Sequence, residues 1–346
     1  FPVTRMYSPS APAASLAWLF VTAAAVRSAV SCYEVPSQAL TPELTGDYDE
    51  RTRITAYRYL FGWAGGLLML LLAYKVFLAP APGYPNGLLR ADGYHEMALV
   101  GAALMVVAIL VSALGTHREI PNLPQPEIAR ASFAHHFREL IETTRNRAFL
   151  TLILAGICAY TNQGISYALS NYFYSFVWRF DGMAFALLPL MLLSGVVIAF
   201  FLAPRLGKRL GKPVAAAWVV VLAMILHTAP YWLRFMGLMP EPGEPMLIPI
   251  LFAIYIVATA FGVSGFILGA SMMADVVEDS EARTGRRSEG IFFAGSFFVQ
   301  KCTSGLGIFL AGVMLSLSAF PEGAHPGQVP VGAIDRLTGL FIAVYL

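Results

Sequence analysis

The stretch "SAVSCYEVPSQALTPELTGDYDERTRITAYR", residues 28–58, decides the fold. It begins as the end of an apolar helical run, yet that run carries Glu34 two residues before Pro36. A segment dense in both signs of charge follows at once, from Glu43 to Arg58. A carboxylate inside an apolar run is costly unless it faces a bundle interior or a water-filled cavity. Pro36 removes one backbone donor from the helical ladder and permits a kink there.

The rest of the chain has the composition that such a run requires. Its 346 residues are 57% hydrophobic and 13% charged, whereas soluble domains are about 45–50% apolar and about 25% charged. The sequence therefore belongs to a polytopic, all-α membrane protein. A formal net charge of +2 suggests no nucleic-acid partner. Cys32, Cys158 and Cys302 lie far apart in apolar runs, a pattern that fits neither a disulfide framework nor a zinc site. No metal or cofactor is expected, and no nucleophile motif or phosphate-binding loop stands in a suitable context. The chain opens without Met and stops inside an apolar run, so it reads as a fragment truncated at both ends.

A membrane helix needs about 20 mostly apolar residues. Runs that qualify are 14–40, 57–79, 96–115, 149–177, 183–204, 214–234, 246–274 and 290–319, and a ninth begins near 337. No whole span alternates with period two, which argues against a β-barrel. Loops after the first, third, fifth and seventh runs hold 15 Lys and Arg residues, and the other four hold only Arg90, Arg179, Arg234 and Arg336. The basic set is expected to be cytoplasmic. Residues 116–148 form a long link, with a Pro-rich start and the amphipathic stretch "FAHHFRELIETTRNR". The organisation expected is the remainder of an amino-terminal bundle over 1–115, a cytoplasmic loop over 116–148 and a carboxy-terminal bundle over 149–346.

Polar residues inside the runs are the candidate site. Arg27, Ser31, Glu34 and Gln38 fall within about 60° of one another on a helix. They form a stripe that faces a bundle interior or a water-filled cavity or, in the plainer reading, an Arg27–Glu34 pair that holds helices together. Lys301 lies about 18 Å along its run, too deep to snorkel easily; a structural ion pair is the alternative. Tyr160, Gln163, Tyr167, Asn171 and Tyr174 share a second face. Rings with amides between them suit a sugar, whose C–H faces stack while its hydroxyls hydrogen-bond; helix packing and an interfacial Tyr174 are the alternative. Small-residue runs such as "GWAGG" and "SGLGIFLAG" allow close helix approach.

Two segments carry a resemblance. "YEVPSQALTPELTGDYDERTRITAYR" (33–58) and "MMADVVEDSEARTGRRSEGIFF" (272–293) resemble the signature segments of the glycoside–pentoside–hexuronide:cation symporters, melibiose-permease-like members of the major facilitator superfamily. The resemblance implies two six-helix bundles, with this chain running from helix four into helix twelve. It implies symport of a sugar or sugar-like solute with a monovalent cation, Na⁺ or H⁺, as co-substrate. On this resemblance Glu34, Gln38, Arg58, Phe266 and Lys301 touch substrate, beside the Tyr160, Gln163, Tyr167 and Asn171 stripe. Ser31 and Lys301 match positions at the cation site. Asp275, Glu278 and Arg287 match a charged network that closes the inner side, and Asp47, Glu50, Arg51 and Arg283 belong to the same two charged segments. Gln38 stands where melibiose permease has Trp, Glu34 where it has Asp, and Phe266 replaces a pocket Trp, all of which imply a different substrate. The expected setting is the plasma membrane, the inner membrane of a bacterium, as a monomer in the bilayer.

Three rivals remain open: a lysophospholipid-like lipid transporter of the same fold, a membrane-embedded enzyme, and a transport-derived sensor. Glu34 is the one carboxylate found deep within a run, which leaves no carboxylate pair for catalysis. The charge distribution makes a prediction about topology. Cysteines placed at Thr116 and Gly211 should react with an impermeant thiol reagent only from the cytoplasmic side, and one at Gly243 only from outside. The reverse labelling would overturn the orientation.

Overall fold

The computed structural model describes residues 12–45, 47–78, 91–123, 146–284, 289–321 and 328–346. Among these, nine long helices follow one another: α1 (Pro12–Ala39), α2 (Tyr48–Leu72), α3 (Ala91–Thr116), α4 (Arg147–Tyr172), α5 (Gly182–Leu210), α6 (Lys212–Phe235), α7 (Leu247–Thr284), α8 (Glu289–Leu317) and α9 (Val331–Tyr345). All nine expected runs are helical, and seven of the helices are long and apolar enough to cross a membrane. An α-helix satisfies its backbone groups internally, which hydrocarbon demands. Most of the 116–148 link, including all but the last two residues of the basic amphipathic stretch, lies outside the described residues.

Two boundaries differ from the sequence reading, for physical reasons. The charged segment was expected to be loop up to Tyr57, but α2 already starts at Tyr48. Asp47 caps that start: its Oδ1 accepts from the backbone N–H groups of Asp49 (2.8 Å) and Glu50 (2.9 Å). Those hydrogen bonds, first that of Glu50 and then that of Asp49, lower the Asp47 carboxyl below its ordinary pKa. Thr45 braces the same turn by accepting from the Asp47 N–H (3.1 Å) and donating to Glu50 Oε2 (2.7 Å). Acidic Asp49 and Glu50 in the first turn also suit the positive end of the helix dipole. At the other site α7 runs on for ten residues past 274, to Thr284. Its 38 residues span about 57 Å, nearly twice the ~30 Å hydrocarbon core. The excess turns carry Asp275 and Glu278.

α1 continues through Pro36 and stops three residues later at Ala39. α2 and α4 end in wider π turns, Ala73–Phe77 and Phe173–Val177. Asn146 and Asp181 cap α4 and α5, accepting from Phe149 N–H (3.0 Å) and Ala184 N–H (2.7 Å). Gly211 alone joins α5 to α6, at φ +80°. That positive φ favours glycine, and it reverses the chain in a single residue.

By proximity the described chain groups into two compact units. The first holds α1, α3 and α2 from Gly62 onward; the second holds residues 45–61 and everything from α4 to α9. The first unit has a small apolar cluster of Ala73, Phe77 and Leu78, against Leu72, Tyr94 and Met97. The second has a large aromatic core, where Trp178, Phe173, Tyr231, Tyr255 and Phe341 are all buried. Phe173 lies 4.8 Å from both the Tyr231 and Phe341 rings, and the Tyr255 hydroxyl donates to that of Tyr231 at 3.4 Å. Tyr174 stacks on Phe180 at 5.0 Å and so packs against this core.

α4 and α8 cross at a reciprocal glycine notch. A Cβ at Gly307 would press into the Thr161 carbonyl and stand 2.9 Å from Gly164 Cα, and one at Gly164 would press into the Ser304 carbonyl. Both obstacles are backbone, which cannot rotate away. Neighbouring Gly305 has open space. Gly307→Ala should therefore destabilise the full-length protein by about 1–3 kcal/mol or more, while Gly305→Ala is close to neutral. Thermal unfolding in detergent checks this, and equal midpoints for the two variants would contradict the notch.

Candidate functional site

The best-defined polar site lies where α2 begins, α6 begins and α7 ends, within the second unit. Tyr48, Arg51, Thr52 and Thr55 share one face of α2 through the i, i+3, i+4, i+7 spacing. Ser271, Asp275 and Glu278 share one face of α7 in the same way. The two stripes meet. Thr52 and Ser271 hydroxyls lie 2.9 Å apart and buried. Arg51 donates from Nη1 to Asp275 Oδ1 at 3.2 Å and to Glu278 Oε2 at a shorter distance. Its Nε donates to the Thr45 carbonyl at 3.1 Å.

A second cation completes the cluster. Lys212, the first residue of α6, donates from Nζ to Asp275 Oδ2 at 2.6 Å. Asp275 thus holds one cation on each oxygen. The Lys212 ammonium also sits 3.5 Å from the centre of the Tyr48 ring, and the Lys212 backbone N–H donates to the Tyr48 hydroxyl at 3.3 Å. Arg51 is 2% exposed and Lys212 0%, while Glu278 is 54% exposed. The charges balance: two cations, two carboxylates.

Exposed ion pairs are worth only about 0–1 kcal/mol each, but this cluster is of another kind. Both cations are buried. Each has lost several kcal/mol of hydration, and pairing repays it only with good geometry. The net value of the closed cluster is therefore small, but removing one partner leaves a buried charge uncompensated at a cost of about 3–5 kcal/mol.

Of the expected gate residues, Arg51, Asp275 and Glu278 come together here. Asp47 and Glu50 engage instead in the α2 cap. Arg287 and the Arg283 side chain lie outside the described residues. Lys212, Tyr48, Thr52 and Ser271 were not singled out from sequence. Lys212 looked like one of several loop cations, although its place directly after a reversing glycine was a usable signal.

Among the expected substrate residues, the structure joins Tyr160 to Phe266. Their rings stack at 5.4 Å and 22°. Gln163 is half-buried one turn further along α4, and Tyr167 and Asn171 are exposed. On α1, Glu34 and Gln38 are half-buried, whereas Arg27 and Ser31 are exposed; no ion pair joins Arg27 to Glu34 among the described residues. Arg58 is half-buried on α2, and Lys301 is exposed on α8, twelve residues after Glu289. Neither is without a partner.

Comparison with known proteins places this architecture. Residues 4–345 match the family model described as "MFS/sugar transport protein". A symporter of Synechocystis sp. is 25% identical over 94% of this chain and 71% of its own length. The isoprimeverose transporter of Lactiplantibacillus pentosus is 23% identical over 92% of this chain and 62% of its own. The sodium-dependent lysophosphatidylcholine symporter 1-B of Danio rerio is 22% identical over 93% of this chain and 64% of its own. The chain spans about two thirds of the length of these relatives. A match over nearly every residue, on a helical scaffold with seven candidate membrane spans, agrees with the resemblance of the two charged segments: the chain belongs to the MFS/sugar transport protein family, as a multi-pass membrane protein of a family of transporters rather than of enzymes.

Proposed function

We propose that this chain belongs to a secondary active transporter that moves a sugar or sugar-like solute with Na⁺ or H⁺ by alternating access, in a plasma membrane of the bacterial inner-membrane type. The observation that carries the transport reading is the buried Arg51–Asp275–Lys212 cluster with Glu278. A static anchor is more cheaply built from apolar side chains. A charge-balanced polar cluster has a different property: its groups are satisfied when paired and satisfied again when hydrated. That suits the cytoplasmic gate of an alternating-access cycle, where the first turns of α2 must dock on α6 and α7 and then release. No chemistry is done on the solute.

The sugar reading draws on the stacked Tyr160–Phe266 rings beside Gln163, on Glu34 and Arg58 inside the runs, and on the relative named as an isoprimeverose transporter. Ser31 and Lys301 serve the cation in this scheme. A second reading, transport of a lysophospholipid, draws on the relative named as a lysophosphatidylcholine symporter. The two differ in what the pocket must recognise: hydroxyl groups and a small ring in one case, a long acyl chain in the other.

Glu34 and Arg58 separate these outcomes. A carboxylate accepts from adjacent sugar hydroxyls, and a guanidinium donates in a fixed fork. Each charge-assisted bond is worth about 1.5–3 kcal/mol, so removing one should weaken binding by roughly 10- to 150-fold. Glu34→Gln and Arg58→Lys in the full-length protein should each weaken equilibrium sugar binding in saturating cation by that factor. Cation binding to the apo protein should stay within about twofold. Unchanged sugar binding in both would remove them from the site. Saturable binding of a lysophospholipid, with none of a panel of glycosides, would favour the lipid reading.

A further inference from the structure

Tyr48 does two things to one residue, and neither is needed to fold α2. It is the first residue of α2, and the cap of that helix is supplied by Asp47 and Thr45. Its hydroxyl instead accepts from the backbone N–H of Lys212 at 3.3 Å. That N–H is an orphan donor, because it stands at the first turn of α6 and Gly211 before it has no side chain to cap it. Tyr48 therefore caps α6 from another helix. Its ring meanwhile covers the Lys212 ammonium, at 3.5 Å from Nζ to the ring centre.

The burial pattern shows what this arrangement achieves. Tyr48 is 44% exposed, while Lys212 is 0% exposed. Three residues from Lys212 towards the end of α5, Arg209 has no such cover, and Lys208 is 76% exposed with only a 3.9 Å approach to Asp49. Tyr48 is thus partly in solvent, while the ammonium against its ring is fully enclosed. An aromatic face accepts a desolvated ammonium far better than an aliphatic side chain does. Arg51, one turn on along the same face of α2, reaches the other oxygen of Asp275. One helix face therefore brings both the plug and the competing cation to the same carboxylate.

We propose that Tyr48 is a positioning residue of the inner gate: it caps α6 in trans and plugs the Lys212 ammonium against water, holding Lys212 on Asp275 while the gate is closed. This rests on the gate reading given above. On release of α2 both contacts are lost together, so Lys212 becomes hydrated only when the gate opens. The state of the gate is then written in the water access of one lysine.

Acylation measures that access. Purified full-length protein in detergent is treated with a water-soluble N-hydroxysuccinimide ester of acetate, and modification at Lys212 and Lys208 is followed by peptide mass spectrometry, Lys208 serving as the internal standard. In the parent protein Lys212 should react at least about tenfold more slowly than Lys208. Tyr48→Phe, which keeps the ring and loses the cap, should raise the Lys212 rate by about threefold. Tyr48→Leu should raise it by about tenfold or more, and Tyr48→Trp, which restores a ring, should return most of the protection. Asp275→Asn tests the gate itself and should also expose Lys212. If Asp275→Asn exposes Lys212 while Tyr48→Leu and Tyr48→Phe leave its rate unchanged, the proposal for Tyr48 is overturned and the gate stands. If Asp275→Asn leaves the rate unchanged, the gate reading fails first. Should Tyr48→Leu not fold, the Tyr48→Phe rate decides: an unchanged value overturns the trans cap and the proposal with it.

Discussion

Asp275 holds two buried cations with one carboxylate, Arg51 on Oδ1 and Lys212 on Oδ2, and the arrangement of three helix ends depends on that. Without the carboxylate, a guanidinium 2% exposed and an ammonium 0% exposed would stand out of water with a single carboxylate left in the cluster, Glu278, that is itself half in solvent. Isolated buried charge is among the costliest arrangements in a protein. The closed cluster is therefore cooperative: it persists with all four groups in place and gives way when one is lost. This is how a set of ion pairs with little net value can still act as a switch.

The surrounding fold delivers these groups with few liberties. α7 overshoots the hydrocarbon thickness, so that Asp275 and Glu278 stand just past the apolar run, about one and two turns beyond Ser271 on the same face. The single-residue turn at Gly211 brings Lys212 back beneath them. Asp47 and Thr45 fix where α2 starts, and with it the faces on which Tyr48 and Arg51 stand. Further along the chain the glycine notch between α4 and α8 clamps two helices of the second unit at backbone contact. Contact at this distance leaves the two helices little room to shift against each other.

Much of this was legible in the sequence because hydrocarbon imposes strict rules. Nine apolar runs and the two mixed-charge segments lead to the helix count, the class and the family. What sequence did not show is how charges at the helix ends divide their work. Asp47 and Glu50 look like gate carboxylates, yet a cap and a hydroxyl claim them first, and the D-x-x-E spacing before a helix was the available sign. Lys212 looks like any loop cation until the turn at Gly211 folds it inward. Among the glycine-rich runs, Gly307 meets backbone and Gly305 meets nothing, a distinction that periodicity cannot make because it depends on the crossing partner. The substrate face was less legible still: of the Tyr160–Tyr174 stripe, Tyr160 joins Phe266 and Tyr174 enters the aromatic core.

A gate requires that the start of α2 dock on the end of α7 in one state and leave it in another. Its most direct test is a distance. Spin labels on cysteines at exposed Arg53 and Ala282, in full-length protein with Cys32, Cys158 and Cys302 replaced by Ser, report that separation by pulsed electron spin resonance. A gate gives a short-distance population in the apo protein and a second, longer one that grows when cation and substrate are both present, and that dominates in Asp275→Asn. A single unchanging distance under all of these conditions would make the cluster a fixed structural anchor and contradict the account.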